Sequence, residues 1–375
     1  MPFALSLIFG KDFSLMKKLF FIFLSSISFT MEAQIKLRGL ADTVGFAHLR
    51  TQMDSVVQRI QKQDGGRIAG ILHEKQVSGN TAWRTVIAPH DDYSYVGYLY
   101  PLVLQNIKAR TVIIFGVAHK AAKLNLENKL IFDSFTHWRG PYGNVKVSSL
   151  RESIMEKLPK DIYEVNDSMQ ALEHSVEAEV PFLQYYNRDV QIISILAPYM
   201  SFDRMNELAK PLAEAIGSIM KEKKLEWGKD VALLISTDAV HYGDEQWSGK
   251  NFAFYGADTA GYNKAVEHEH EIMNNCLKDE LKTEKIKLFT EYTVQKENFK
   301  EYKWTWCGRY SVPVGLLTGL YLQQYLKAKP LLGTLLGYSN SLDHAHIKVD
   351  DLQGMGVTAI ATIRHWVGYA AVGFK

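Results

Sequence analysis

Five residues of this sequence have types and placements that suit chemistry: His90, His119, Asp238, His241 and Cys307. His90 follows a short apolar run at residues 85–88 through Pro89, and His119 follows the run at 111–115 after Gly116, Val117 and Ala118. Asp238 and His241 lie in the string Ser236 to Gly243, directly after the run at 231–235. A single histidine in such a place is most often a hydrogen-bonded loop residue. Repetition changes that, because the exits of neighbouring strands converge in space while staying far apart in sequence. Convergent neutral imidazoles suit zinc, copper or iron, and a carboxylate or thiolate completes many such sites. Cys307 supplies the thiol. It stands between Trp306 and Gly308, beside Arg309 and just before a helical pattern, where a helix amino terminus and a guanidinium would favour the thiolate. An inert buried cysteine is the competing reading.

Around these five sit further polar residues. Glu173 is suited to accept a hydrogen bond from a ligand histidine, Ser175 to cap the helical segment that follows, and His174 to join the site. In this reading His241, oriented by Asp238, moves protons. His268 and His270, flanked by Glu267, Glu269 and Glu271, read as a solvated helix face, and His344 and His346 carry no further signal. Other chemistries lack their parts. The sequence has no G-x-G-x-x-G after a first strand, no phosphate-binding P-loop, no H-E-x-x-H and no G-x-S-x-G.

The elements that must position these residues are legible as apolar runs rich in β-branched residues at 85–88, 111–115, 129–132, 190–196, 231–236, 331–338 and 356–364. Helical periodicity falls between several of them, at 148–158, 177–186, 204–224, 258–281 and 312–326. Alternation of this kind predicts an α/β fold, a single three-layer α/β/α sandwich with a mostly parallel or mixed central sheet and its sites beyond the strand ends. No repeat or linker divides residues 35–375, so one domain is expected there.

Taken in order and spacing, residues 87–95, 116–119, 173–183, 236–243 and 307–309 resemble the Memo family, which includes the proteins called AmmeMemoRadiSam system protein B. The resemblance spans roughly residues 84–365. It implies a fold similar to the LigB-type class III extradiol dioxygenases and a pocket for iron or copper. On that resemblance His90, His119 and Cys307 fall at metal-ligand positions, Asp238 and His241 match the acidic residue and histidine of the same pocket, and Tyr93, Glu173, His174 and Arg309 lie around it. Dioxygenases of this fold use two histidines and a glutamate, so a cysteine would alter softness and redox behaviour. Asp91, Asp92 and Lys120 depart from the family's usual residues, and the two carboxylates would add negative charge at the pocket mouth.

The first 34 residues differ from the rest. Lys17 and Lys18 precede an apolar run of about 10 residues ending near Phe29, with Ala33 at a plausible cut, which reads as a signal peptide and predicts a periplasmic or secreted protein. Met16 would serve as the true start. Any membrane contact would come through an uncleaved leader, although the run is short against the roughly 20 residues of a bilayer span. A net charge of +2, from 43 basic and 41 acidic residues, disfavours nucleic acid and leaves a small molecule or a peptide as partner. Two cysteines exclude a disulfide framework but allow one bridge from Cys276 to Cys307, which would remove the thiol from the site. Two functions follow as expectations: a metal-dependent oxidoreductase, or a binding protein that uses the same pocket for a peptide or a metal.

Overall fold

The fold was analysed in a computed structural model that describes residues 35–375. The expected leader at 1–34 and the alternative start at Met16 lie outside the described residues. Among the described residues no helix is long and apolar enough to cross a membrane.

The Val- and Ile-rich runs become strands β2 (Thr85–Ala88), β3 (Thr111–Val117), β8 (Gln191–Ala197) and β9 (Val231–Ser236). With β6 (Gly143–Val147) they form the parallel centre of a mixed sheet, in the order β6-β8-β3-β9-β2. β13 (His365–Phe374) and β12 (Leu332–Asn340) continue it antiparallel beyond β2. On the other side, β5 (His137–Gly140) pairs with β6, and β1 (Leu37–Arg38) with β5.

Side chains alternate between two cores, as strand pleating requires. Ile87, Ile113, Phe115, Leu233 and Ile235 face one core, whereas Val86, Val112, Ile114, Ala232 and Leu234 face the other. The first core is covered by α7 (Phe202–Lys223), whose amino end is capped by the Ser201 side chain, and α10 (Ser311–Leu326), which pack against each other. The second lies under α1 (Arg50–Glu74), α2 (Tyr93–Val96), α3 (Leu99–Leu104) and α6 (Val180–Tyr186). The expected three-layer α/β sandwich is therefore present.

Most bounds shift by one to three residues, and two segments depart further from expectation. Residues 356–364 are not a strand, despite their Val, Thr and Ile content. Val357, Ile360 and Ile363 are exposed, and the strand is the next segment, whose Gly and Ala residues fit close packing rather than intrinsic β preference. The helix expected at 258–281 ends early, as α8 (Thr259–Cys276), because Asp279 and Glu280 turn into β11 and pair with β12.

Gly315 decides how closely α10 approaches the strands that carry the site. A Cβ there would lie 2.4 Å from Ile235 Cγ1 and 3.3 Å from Phe115 Cδ2. Gly315→Val should therefore destabilise the protein by about 1–3 kcal/mol through overpacking, read from the denaturant midpoint.

Candidate metal centre

Parallel pairing of β3, β9 and β2 brings their carboxyl ends level. Ala88 is opposite Ser236, and Phe115 is opposite Ile235. His90, His119 and the 238–241 loop leave from that common edge, so the sheet itself gathers them. Nδ1 or Nε2 of His90 and His119 and the sulfur of Cys307 lie mutually within 4.8 Å. The same holds for ligand atoms of Asp238, His241 and Cys307.

Hydrogen bonding fixes which nitrogen of each key histidine is free. Ser236 Oγ donates to the Ser175 carbonyl at 2.6 Å, so toward His90 Nδ1, 2.9 Å away, it accepts. The His90 proton therefore sits on Nδ1, and Nε2 keeps its lone pair, 3.3 Å from Cys307 Sγ. Glu173 does the same for His119. Its Oε1 lies 2.9 Å from His119 Nδ1 and also accepts from the Ser175 N–H, while Oε2 accepts from the His119 N–H at 2.8 Å. Burial pushes Glu173 up, but the charge and hydrogen bond of His119, then His174 and the Ser175 N–H, carry it well below the usual carboxylate range. His119, Glu173 and His174 also lie close enough to form a ligand triad. With its oxygens already accepting three N–H groups, Glu173 serves as support for His119 rather than as a ligand. Arg38 holds this support from behind: buried and paired with Glu177, it donates to the carbonyls of Glu173 and Gln170.

Cys307 reaches the edge on a loop zipped to the 238–241 loop. His241 N–H donates to the Thr305 carbonyl, Thr305 Oγ1 donates to the His241 carbonyl, and Val240 bridges to Trp306. Gly308 lets this loop lie against Thr237, since a Cβ there would fall 2.2 Å from Thr237 Oγ1. The thiol accepts the Asp238 N–H at 3.1 Å. Glu269 on α8 closes the arrangement. Its Oε1 accepts Trp304 Nε1 at 2.6 Å and Trp306 Nε1 at 2.7 Å, and its Oε2 accepts the Val240 N–H at 3.1 Å.

A cavity of about 250 Å³ opens at the histidines of this cluster. His90, His119, His174, Asp238 and His241 line it on the metal side, with Asp42, Asp91 and Asp92 on the acidic side. His90, His174 and His241 resist protonation. Burial and the neighbouring imidazoles hold His90 well below its ordinary value, His174 down to about 4 and His241 down to about 3. Burial likewise raises Asp91, Asp92 and Asp238, Asp92 up to about 8; the Asp91 charge adds to the rise of Asp92 and Asp238, and that of Asp92 to the rise of Asp238.

Several sequence expectations are corrected. Arg309 does not face Cys307: it donates to the Lys300 carbonyl and lies over the Tyr302 ring at 3.5 Å. Burial, then the Asp238 charge, raises the Cys307 thiol well above its ordinary value, so without a metal it is a thiol, not a thiolate. Tyr93 stands one layer behind the cavity, its hydroxyl donating to the Ala178 carbonyl. Asp238 does not orient His241, since Oδ2 and Nε2 are 3.9 Å apart; it instead accepts the His90 N–H at 2.8 Å through Oδ1. Both cysteines are free, so the bridge is absent. His174 does join the site, its ring stacked on His119 at 4.7 Å.

Sequence reasoning missed Ser236, Trp247, His365 and Glu269. Only Glu269 had a readable signal. It shares a helical stripe with the buried Ala265, Ile272, Met273 and Cys276, so it faces the core despite its charged neighbours.

An α/β sandwich with a histidine and cysteine cluster at its strand exits is the class of protein that this fold and site define. The family model described as Memo-like protein matches residues 47–352, and the chain belongs to the Memo family. It is 26% identical over 265 residues to a MEMO1 family protein of Pyrococcus abyssi, a match covering 68% of this chain and 80% of that protein. MEMO1 family proteins of Pyrobaculum arsenaticum and Aquifex aeolicus are 30% and 29% identical over 46% and 42% of the chain. Those two matches span about half of each relative, 55% and 54%.

The Glu269 clamp has a measurable pH signature. Burial, partly offset by its two indole donors and the Val240 N–H, raises this carboxyl from 4.5 to about 7. A carboxyl raised on folding contributes stability that is whole below the unfolded pKa and is lost as pH rises through the folded one. Stability should therefore fall by about 3 kcal/mol from this group between pH 4.5 and 7. Urea unfolding of Glu269→Gln across that window should show a flatter pH dependence than the parent protein.

Proposed function

We propose that this chain is a metal-dependent oxidoreductase for a small molecule, with iron or copper held by His90, His119 and Cys307. The observation that carries the reading is twofold: His90 and His119 each commit Nδ1, to Ser236 and to Glu173, and so keep Nε2 bare, and a ring nitrogen of each lies within 4.8 Å of the Cys307 sulfur. Two imidazoles and a thiolate suit soft or borderline redox metals. A bound ion would supply one-electron chemistry and Lewis acidity toward an oxygen or nitrogen of the guest.

The residues divide the remaining work. Cys307 gives up its proton on ligation, and the Asp238 N–H stays as donor to the resulting thiolate. His241, whose Nε2 has no hydrogen-bond partner, stands at the cavity wall against Trp247 and, staying neutral, offers that nitrogen to a donor group of the guest. Asp238 holds the His90 backbone in place rather than serving His241. Export is proposed as well, from Lys17, Lys18 and the apolar run behind them, and amino-terminal sequencing of the mature protein should begin near Gln34.

Metal analysis after reduction and reconstitution should find stoichiometric iron or copper in the parent protein and little in His90→Ala. Cys307→Ser should lose the sulfur-to-metal charge-transfer band of the copper(II) form. Absence of metal under both reducing and oxidising preparation would sink the reading, and metal binding without oxygen consumption or substrate oxidation would favour the plain binding protein. Glu173→Gln keeps one acceptor but turns a donor toward His119 or its backbone. Its metal affinity should drop roughly 10- to 100-fold in a chelator competition.

A further inference from the structure

We infer that the cavity lined by His90 and His119 takes a small organic cation, an amine whose ammonium group lies against Asp91, Asp92 and Asp42. This rests on reading the same cavity as the working site, although the charge argument does not use the metal.

The lining is one-sided in its ionisable groups, rich in carboxyls and, among the described residues, without a lysine or arginine. Asp42, Asp91, Asp92 and Asp238 all border the cavity. An anionic guest would meet four carboxyl groups with no compensating cation, whereas an ammonium meets acceptors on one whole side. Asp91 already accepts from the Asp92 N–H and the Tyr369 hydroxyl, and Asp92 from Thr358, so the open acceptor capacity lies on Asp238 and Asp42. Asp238 is 3% exposed and borders the cavity, yet its Oδ2 makes no hydrogen bond. The His90 Nε2, 3.5 Å away, carries no proton to give. Asp42 spends Oδ1 on the Val44 and Gly45 N–H groups and leaves Oδ2 without a donor.

The rest of the wall suits a cation with an apolar body. Phe46, Tyr95, Trp247 and Trp366 also line the cavity, and aromatic faces stabilise ammonium groups and cover flat apolar surface. A volume of about 250 Å³ equals that of roughly eight liquid waters, which limits the guest to a small molecule. Much of this wall lies outside the family match at 47–352. Asp42, Phe46, Thr358 and Trp366 come from the flanks, whereas Asp91, Asp92, Tyr95 and Trp247 fall within the match, so the acidic, aromatic side is assembled from both.

Three probes of similar size separate the charge states: tyramine, neutral 4-ethylphenol and the anionic 3-(4-hydroxyphenyl)propionate. Calorimetry on the purified full chain should show tyramine binding at least about tenfold more tightly than 4-ethylphenol, with the anion weakest. In Asp91→Asn the amine-to-neutral affinity ratio should collapse toward one. Asp42→Asn, which retains Oδ1 for Val44 and Gly45, decides the matter if Asp91→Asn does not fold, and should lower the same ratio. Equal affinity for amine and neutral probe, preference for the anion, no binding of any probe, or a ratio unchanged in the aspartate variants each overturns the inference. The same titrations on His90→Ala keep the two readings apart. Lost metal with retained amine preference removes the metal centre and leaves the cation site, and the converse pattern does the opposite.

Discussion

Three parallel strands lying side by side set the terms for everything else in this protein. β3, β9 and β2 are hydrogen-bonded neighbours, and their carboxyl ends stop at one level of the sheet. Residues that leave those ends cannot avoid one another, whatever the loops between them do. His90, His119 and Asp238 become neighbours because the ladder of backbone hydrogen bonds admits only one register. The two cores then fix the sheet from both faces, with Ile87, Phe115 and Ile235 on one side and Val86, Ile114 and Leu234 on the other. Sliding any of these strands by one residue would turn its apolar side chains to the wrong core.

Proximity alone would not make ligands of the imidazoles. The groups behind them settle where the protons reside. Ser236, having given its own hydrogen to the Ser175 carbonyl, can only receive from His90, and Glu173 offers His119 only lone pairs. Both rings are thereby held with the outward nitrogen bare. Cys307 arrives from a different region of the chain, on a loop whose place depends on Glu269 and two indole N–H groups. Buried polar groups of this kind are costly unless satisfied, and here each accepts or donates toward a residue one step removed from the centre.

How much of this could be read from the sequence follows the range of the interactions involved. Strands β2 and β9 match their expected bounds because four to six consecutive apolar residues are a local signal. Exits from those strands were legible for the same reason, and with them His90, His119 and His241. Side-chain direction was not. Arg309 stands beside Cys307 in sequence, but its guanidinium stacks on Tyr302, and no pattern of residue types records which way a loop side chain turns. Glu269 shows how a strong local cue can mislead: alternating Glu and His suggested solvent, although the apolar spacing of its own helix put it inside. Helix α1, 25 residues long, went unnoticed because Gln52, Asp64 and Gly65 interrupt its buried face. The acidic and aromatic wall was beyond reach for a simpler reason, since residues near 42 and near 366 meet only through the folded sheet.

β13 lies between β2 and β12, follows every other strand in chain order, and carries Trp366 and Val367 into the cavity. On the ribosome, then, the outer edge of β2 stays open until this last strand emerges. The histidines can gather before that moment, but the chamber around them has no closed side. Whatever the chamber holds is enclosed only once that strand has paired, so the order of the chain sets when the chamber exists.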